Sequence, residues 1–76
     1  MTDAETCRSR GWGVGTRLIG SEAGWNGGPD TSNVIVITAI GDRSILARCV
    51  EHNGAPHPCR EQNWTLALRD WKEVKA

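Results

Sequence analysis

The sequence predicts an all-β domain, and three observations carry that expectation. The run VIVITAI, Val34 to Ile40, is dense in β-branched residues, too short for a typical helix and bounded on both sides by turn residues. The stretch NWTLALRDW sets Trp64, Leu66 and Leu68 in strict alternation with Thr65, Ala67 and Arg69, the period-two pattern of a half-buried strand. No segment carries a helical period long enough to pack against a sheet, which disfavours an α/β arrangement.

Taken in order, residues 1–10 have no hydrophobic periodicity and few large apolar groups, so they read as a flexible tail that cannot offset the entropy of ordering. Thr16 to Ile19, bounded by glycines, is the first strand. SEAGWNGGPDTSN follows as a long loop carrying one aromatic, Trp25. VIVITAI is then a central, highly buried strand, and GDRS turns it into ILARCV, Ile45 to Val50, as an antiparallel hairpin. Gly41 and Asp42 supply that turn, Gly by tolerating positive φ and Asp by bonding its own backbone. NWTLALRDW is the next strand, and a short one around Trp71 to Val74 closes the chain.

About five short antiparallel strands over residues 11–76, with a tight central hairpin, are the layout of a small, strongly bent barrel of the SH3-like type, in which near closure removes exposed edges. The expected core is Leu18, Ile19, Ile35, Ile37, Ile40, Ile45, Ala47, Trp64, Leu66, Leu68 and Val74.

A chain of 76 residues has room for one core and buries roughly 60% of the surface its unfolded form exposes. Nine basic residues balance nine acidic ones, so the long-range attraction that drives non-specific nucleic-acid binding is missing. Up to Asp42 there are three basic and five acidic residues, and from Arg43 onward six and four, a tilt too small to define a polyanion-binding face. No run approaches the ~20 apolar residues of a membrane helix, and MTDAETCRSR is polar throughout, so the expected location is the cytoplasm. In a reducing compartment the odd count of three cysteines leaves Cys7 as a free thiol on the tail.

The densest chemistry lies in CVEHNGAPHPC. Cys49, His52, His57 and Cys59 have the donor types of a Cys2His2 zinc site, and a small domain gains much from a structural metal. Their intervals of two, four and one residues do not match paired zinc knuckles, and Pro56 and Pro58 stiffen the loop around His57. If Ile45 and Ala47 face the core, strand parity turns Cys49 inward as a small apolar residue. HNGA is a hairpin signal, and a two-residue turn at Asn53 and Gly54 sets Cys49 near Pro58 and brings Cys59 close. A zinc site, a Cys49–Cys59 disulfide and an ordinary stiff hairpin loop all remain open, with no cofactor as the expectation.

With no Phe or Tyr, the four tryptophans hold the aromatic potential. Trp64 shares its face with Leu66 and Leu68 and belongs to the core, and Trp71 packs beneath the last turn. Trp12 and Trp25 sit among glycines, where no periodicity demands burial; each is a lid over a barrel end or an exposed anchor for a partner. GWGVG lacks the preceding strand and following helix of a phosphate-cradling loop. No serine, aspartate or histidine stands in an arrangement that marks a nucleophile and its base, so an enzyme is not expected.

The arrangement GTRLIG … VIVITAIGDRSILAR … NWTLALRDWKEV resembles small uncharacterised proteins of bacteriophages and prophages, in which a glycine-led first strand, an ITAIG-like hairpin and a closing W-T-L … R-D-W recur. The resemblance covers roughly residues 11–74. It implies an SH3-like barrel and a phage accessory protein in the host cytoplasm, and it transfers no active site.

The leading expectation is a non-catalytic protein-binding module that modulates a host protein, such as a defence or transcription component. Its binding residues would be Trp12, Trp25, Arg48, His52, His57 and Arg69. The first alternative is a nucleic-acid-binding barrel in which Arg43, Arg48, Arg60, Arg69, Lys72 and Lys75 converge. The second is a structural or assembly protein, zinc-stabilised or self-associating as a homodimer rather than a monomer.

Overall fold

The computed structural model describes residues 2–22, 31–57, 59–66 and 70–74. Along the chain, α1 (Asp3–Arg10) precedes β1 (Arg17–Glu22), β2 (Thr31–Ile40), β3 (Ile45–His52), β4 (Ala55–Pro56), β5 (Gln62–Asn63) and β6 (Asp70–Glu73). All pairings are antiparallel, in the order β4-β3-β2-β1-β6, and β5 joins the same edge of β3 as β4. The fold is a small all-β one with a single short helix among the described residues.

The helix corrects the expectation of a flexible tail. Thr2 accepts the Glu5 N–H at 3.2 Å, the N-cap half of an S/T-x-x-E pattern. Asp3 and Glu5 occupy the first turn and Arg8 and Arg10 the last, which suits the helix dipole. At the other end Gly11 is left-handed at φ 74. The Gly11 N–H donates to Arg8 O at 3.3 Å and the Trp12 N–H to Cys7 O at 2.8 Å. This is a Schellman turn, with buried Trp12 and Cys7 as its apolar pair.

Only Ala4 and Cys7 on the helix are buried, too little to hold it by burial alone. Hydrogen bonds complete the attachment: Ala4 N–H donates to Arg43 O at 3.1 Å, and Arg8 donates to Gly41 O and Asp42 O at 3.4 and 3.2 Å. Asp3 in turn accepts the Leu66 N–H at 3.0 Å. Cys7, expected on a loose tail, is therefore fully buried.

The central hairpin forms as expected, with Ile40 opposite Ile45 and Gly41 N–H donating to Ser44 O at 2.9 Å. Its turn does not draw on positive φ at Gly41, which lies outside the left-handed region. Two register shifts interrupt the ladder, leaving Val50 extra on β3 and Thr38 extra on β2. Each bulge bends the sheet and sharpens its twist. The hydroxyl of Thr38 donates to the Glu61 carboxylate.

The core gathers Cys7, Trp12, Leu18, Ile35, Ile37, Ile45, Ala47, Cys49, Leu66 and Trp71, with Ile40, Cys59 and Trp64 packed at its margin. Most of the expected core is there. Ile19 and Val74 are only half-buried, and Leu68 lies outside the described residues. Of the strand expected across NWTLALRDW, Asn63 lies in β5 and Asp70 and Trp71 in β6, Trp64 is half-buried and Leu66 buried, and residues 67–69 lie outside the described residues. Alternate burial survives without a ladder because the Leu66 N–H is taken by Asp3 rather than by a neighbouring strand.

Trp71 sits opposite Gly20 on β1, and a Cβ built on Gly20 would lie 2.7 Å from two carbons of the indole. Edge-on to Trp71, at 5.9 Å between centroids, stands Trp64. Replacing Gly20 by Ala is therefore expected to destabilise the domain by about 1–3 kcal/mol in denaturant unfolding. Gly13→Ala, where nothing lies within 4 Å of the added Cβ, is expected to stay within about 0.5 kcal/mol.

Candidate functional site

Among the described residues, two places gather chemistry-bearing side chains. The first is the β3–β4 hairpin. Asn53 (φ 52) and Gly54 (φ 82) are both left-handed, so the two-residue turn expected from NG is present, with His52 opposite Ala55. The Cys59 N–H donates to Cys49 O at 3.3 Å, so the turn does bring the two cysteines together along the backbone.

The four donors nonetheless divide between environments. Cys49 is buried and its thiol donates to Glu51 O at 3.3 Å, and Cys59 packs at the core margin. The two histidines are exposed, with ring centroids 5.7 Å apart. Among the described residues no three His, Cys, Asp or Glu side chains converge as a metal requires. Cys7 and Cys59 are free thiols.

His52 is held by structure instead. Its Nδ1 lies 2.6 Å from Oδ1 of buried Asn33, its direct neighbour across the ladder, and its Nε2 lies 3.4 Å from Nδ2 of Asn53. Both contacts suit an imidazole that donates from Nδ1 and accepts at Nε2. Asn53 also clasps Ser32, accepting its N–H at 2.9 Å and donating its own to Ser32 O at 2.8 Å. These bonds fix the shape of the hairpin. Arg48 is exposed on the outer face of β3, opposite Val36, and Trp25 and Arg69 lie outside the described residues.

The second place is a pocket of about 200 Å³ lined by Thr6, Arg10, Trp12, Leu66, Asp70, Trp71 and Lys72. Trp12, Trp71 and Leu66 are 5–6% exposed, so they form its apolar interior. Trp12 is thus neither a free anchor nor a purely internal side chain, because it belongs to the core and also walls this pocket. The Arg10 guanidinium lies 5.2 Å from the centroid of the Trp12 ring, a cation–π contact. Exposed Lys72 and Asp70 complete the polar mouth. The buried Nε1 of Trp71 has no hydrogen-bond partner among the described residues. Of the residues expected to bind that are described, only Trp12 lines this pocket, and Thr6 and Arg10 come from the segment whose weak hydrophobicity suggests a tail.

Burial raises the Cys7 thiol pKa, the nearby Asp3 carboxylate adds to the shift and Arg8 partly opposes it. The folded protein thus resists forming the thiolate, and the unfolded chain ionises first as pH rises. Stability from this group is full below the ordinary thiol value of 9.0 and falls as pH climbs past it. Denaturant unfolding across pH 7 to 11 is expected to show this alkaline loss, and Cys7→Ala to lack it. With an aromatic disulfide reagent at pH 8, Cys59 is expected to react readily, and Cys7 and Cys49 only as fast as the protein opens.

Compared with known families, the whole chain, residues 1–76, matches the family described as Domain of unknown function (DUF7241), and the chain belongs to that family. No curated protein and no solved structure matches it.

Proposed function

We propose that this member of the DUF7241 family is a non-catalytic protein-binding module, a phage accessory protein that occupies one surface of a host or phage protein in the host cytoplasm. The pocket between α1 and β6 carries this reading: buried Trp12, Trp71 and Leu66 at its base, Arg10 and Lys72 at its mouth. Trp and Arg are the residue types that most often dominate protein contacts. A host regulator, such as a defence or transcription component, is the partner class the phage resemblance suggests. The order β6-β1-β2-β3 followed by β4 and β5 and the bulged central hairpin support an SH3-like barrel as the scaffold.

Charge favours a protein partner over a nucleic acid. Formal charges balance, and Arg43, Arg48, Arg60 and Lys72 sit on separate elements: the β2–β3 turn, β3, the segment before β5, and β6. Phosphate binding strong enough to matter should appear in low salt and fade steeply as salt rises.

A double variant, Arg10→Gln with Lys72→Glu, is expected to remain folded by circular dichroism and to lose at least about tenfold in affinity for a captured protein partner. Arg48→Glu and His57→Ala are expected to retain it. Titration with single- and double-stranded nucleic acid at low salt is expected to show no saturable binding. Partner loss through Arg48→Glu alone would move the contact to the hairpin face, and salt-sensitive nucleic-acid binding would replace this reading.

A further inference from the structure

We infer that the edge of β6 away from β1 accepts an extended segment of a partner protein as an added strand, with one apolar side chain of that segment seated in the Trp12–Trp71 pocket and a carboxylate two places along at its mouth. This rests on the protein-binding reading above and specifies its geometry. The first observation is that Asp70, Trp71 and Lys72, three consecutive strand residues, all line one pocket. Its other lining residues are Thr6 and Arg10 of α1, Trp12 and Leu66, and no described residue of β1 lines it, so it lies beside β6 on the side away from β1. β1 occupies one edge of β6, and among the described residues no strand pairs with the other. The pocket therefore lies along the other edge, with Thr6, Arg10 and Trp12 as its far bank.

The ladder shows which backbone groups face that bank. Val74 N–H donates to Arg17 O at 2.8 Å, and the register pairs Ile19 with Lys72, Gly20 with Trp71 and Ser21 with Asp70. Hydrogen-bonded and non-bonded pairs alternate in an antiparallel ladder, so Lys72 and Asp70 turn their N–H and C=O toward β1, and Trp71 and Glu73 turn theirs outward. Strand addition needs such a row of outward groups beside a side-chain pocket.

Size and charge set the occupant. About 200 Å³ is below the ~300–1,000 Å³ of small-molecule sites and suits one side chain. Arg10 and Lys72 face one Asp70, a surplus of one positive charge. That surplus suits a single carboxylate, and Asp70 repels anything denser. Residues two apart on an added strand share a face, which fixes the carboxylate's place relative to the apolar anchor. A second copy of this chain fits poorly: within β6 only Trp71 is apolar, and it is already buried against Gly20.

The test uses the whole protein and a set of short blocked peptides of threonines with a central Leu, Ile, Phe or Ser and one Glu two places on. Saturable binding is expected for the apolar anchors, with slowed amide exchange at Trp71 and Glu73 and roughly tenfold weaker binding for Ser. N-methylating alternate peptide residues in one phase is expected to abolish binding and in the other to leave it, because only one phase faces β6. Glu73→Pro removes an outward N–H without costing a bond to β1 and is expected to weaken binding at least about tenfold. If both methylation phases and Glu73→Pro leave binding intact while Arg10→Gln with Lys72→Glu weakens it, strand addition is wrong and the pocket stands as a protein contact. Absence of binding by every peptide overturns the inference. So does a dimer in native mass spectrometry that Glu73→Pro dissociates, which makes a second copy the occupant.

Discussion

Three consecutive carbonyls organise the end of this sheet. Gly41, Asp42 and Arg43 present theirs from the β2–β3 turn, and α1 supplies the donors, two from Arg8 and one from the Ala4 N–H. A helix that buries only Ala4 and Cys7 has little apolar area to hold it, so these bonds, at about 0.5–1.5 kcal/mol each and more where Arg8 is the charged donor, decide its position. The position then propagates. The Schellman turn at Gly11 swings Trp12 into the core, and Asp3 takes the Leu66 N–H beyond the end of β5. One attachment therefore joins the helix, the central hairpin and the approach to the last strand.

The sheet itself is shaped by two bulges and one close approach. The extra residues Val50 and Thr38 bend the β2–β3 hairpin, letting β3 pair with β2 along one edge and with β4 and β5 along the other. At the opposite side, Gly20 and Trp71 form a non-hydrogen-bonded pair, the kind in which backbones come closest, and the missing Cβ admits the indole. Trp71 thereby becomes both the clamp between β1 and β6 and the wall of the pocket beside them. A change that loosens the clamp also reshapes the pocket.

The hairpin with the densest donor atoms serves shape. The buried Cys49 thiol donates to Glu51 O, whereas both histidines of the hairpin are exposed. His52 is spoken for by Asn33 and Asn53, which tie β3 to β2 at the hairpin's root. Chemical promise in the sequence and a usable arrangement in space are separate matters here. The pocket shows the reverse case, since its lining residues form no cluster in the sequence yet meet in space.

Much of the sheet is legible from local pattern. β-branched residues from Val34 to Ile40, alternation through Ile45, Ala47 and Cys49, and Asn53-Gly54 dictate strands and a left-handed turn through sterics that act within a few residues. The helix was legible too, in Thr2 three places before Glu5, acids then arginines, and Gly11; weak hydrophobicity hid it. The pocket was not legible. Thr6, Arg10 and Trp12 meet Leu66 and β6 from more than fifty residues away, and no periodicity within either segment encodes the other. Local sequence thus determined the strands, the hairpins and the cap signals, because those depend on backbone sterics and short-range hydrogen bonds. Tertiary structure alone decided which side chains of α1 stand beside β6, because that follows from where α1 finds the Gly41–Arg43 carbonyls.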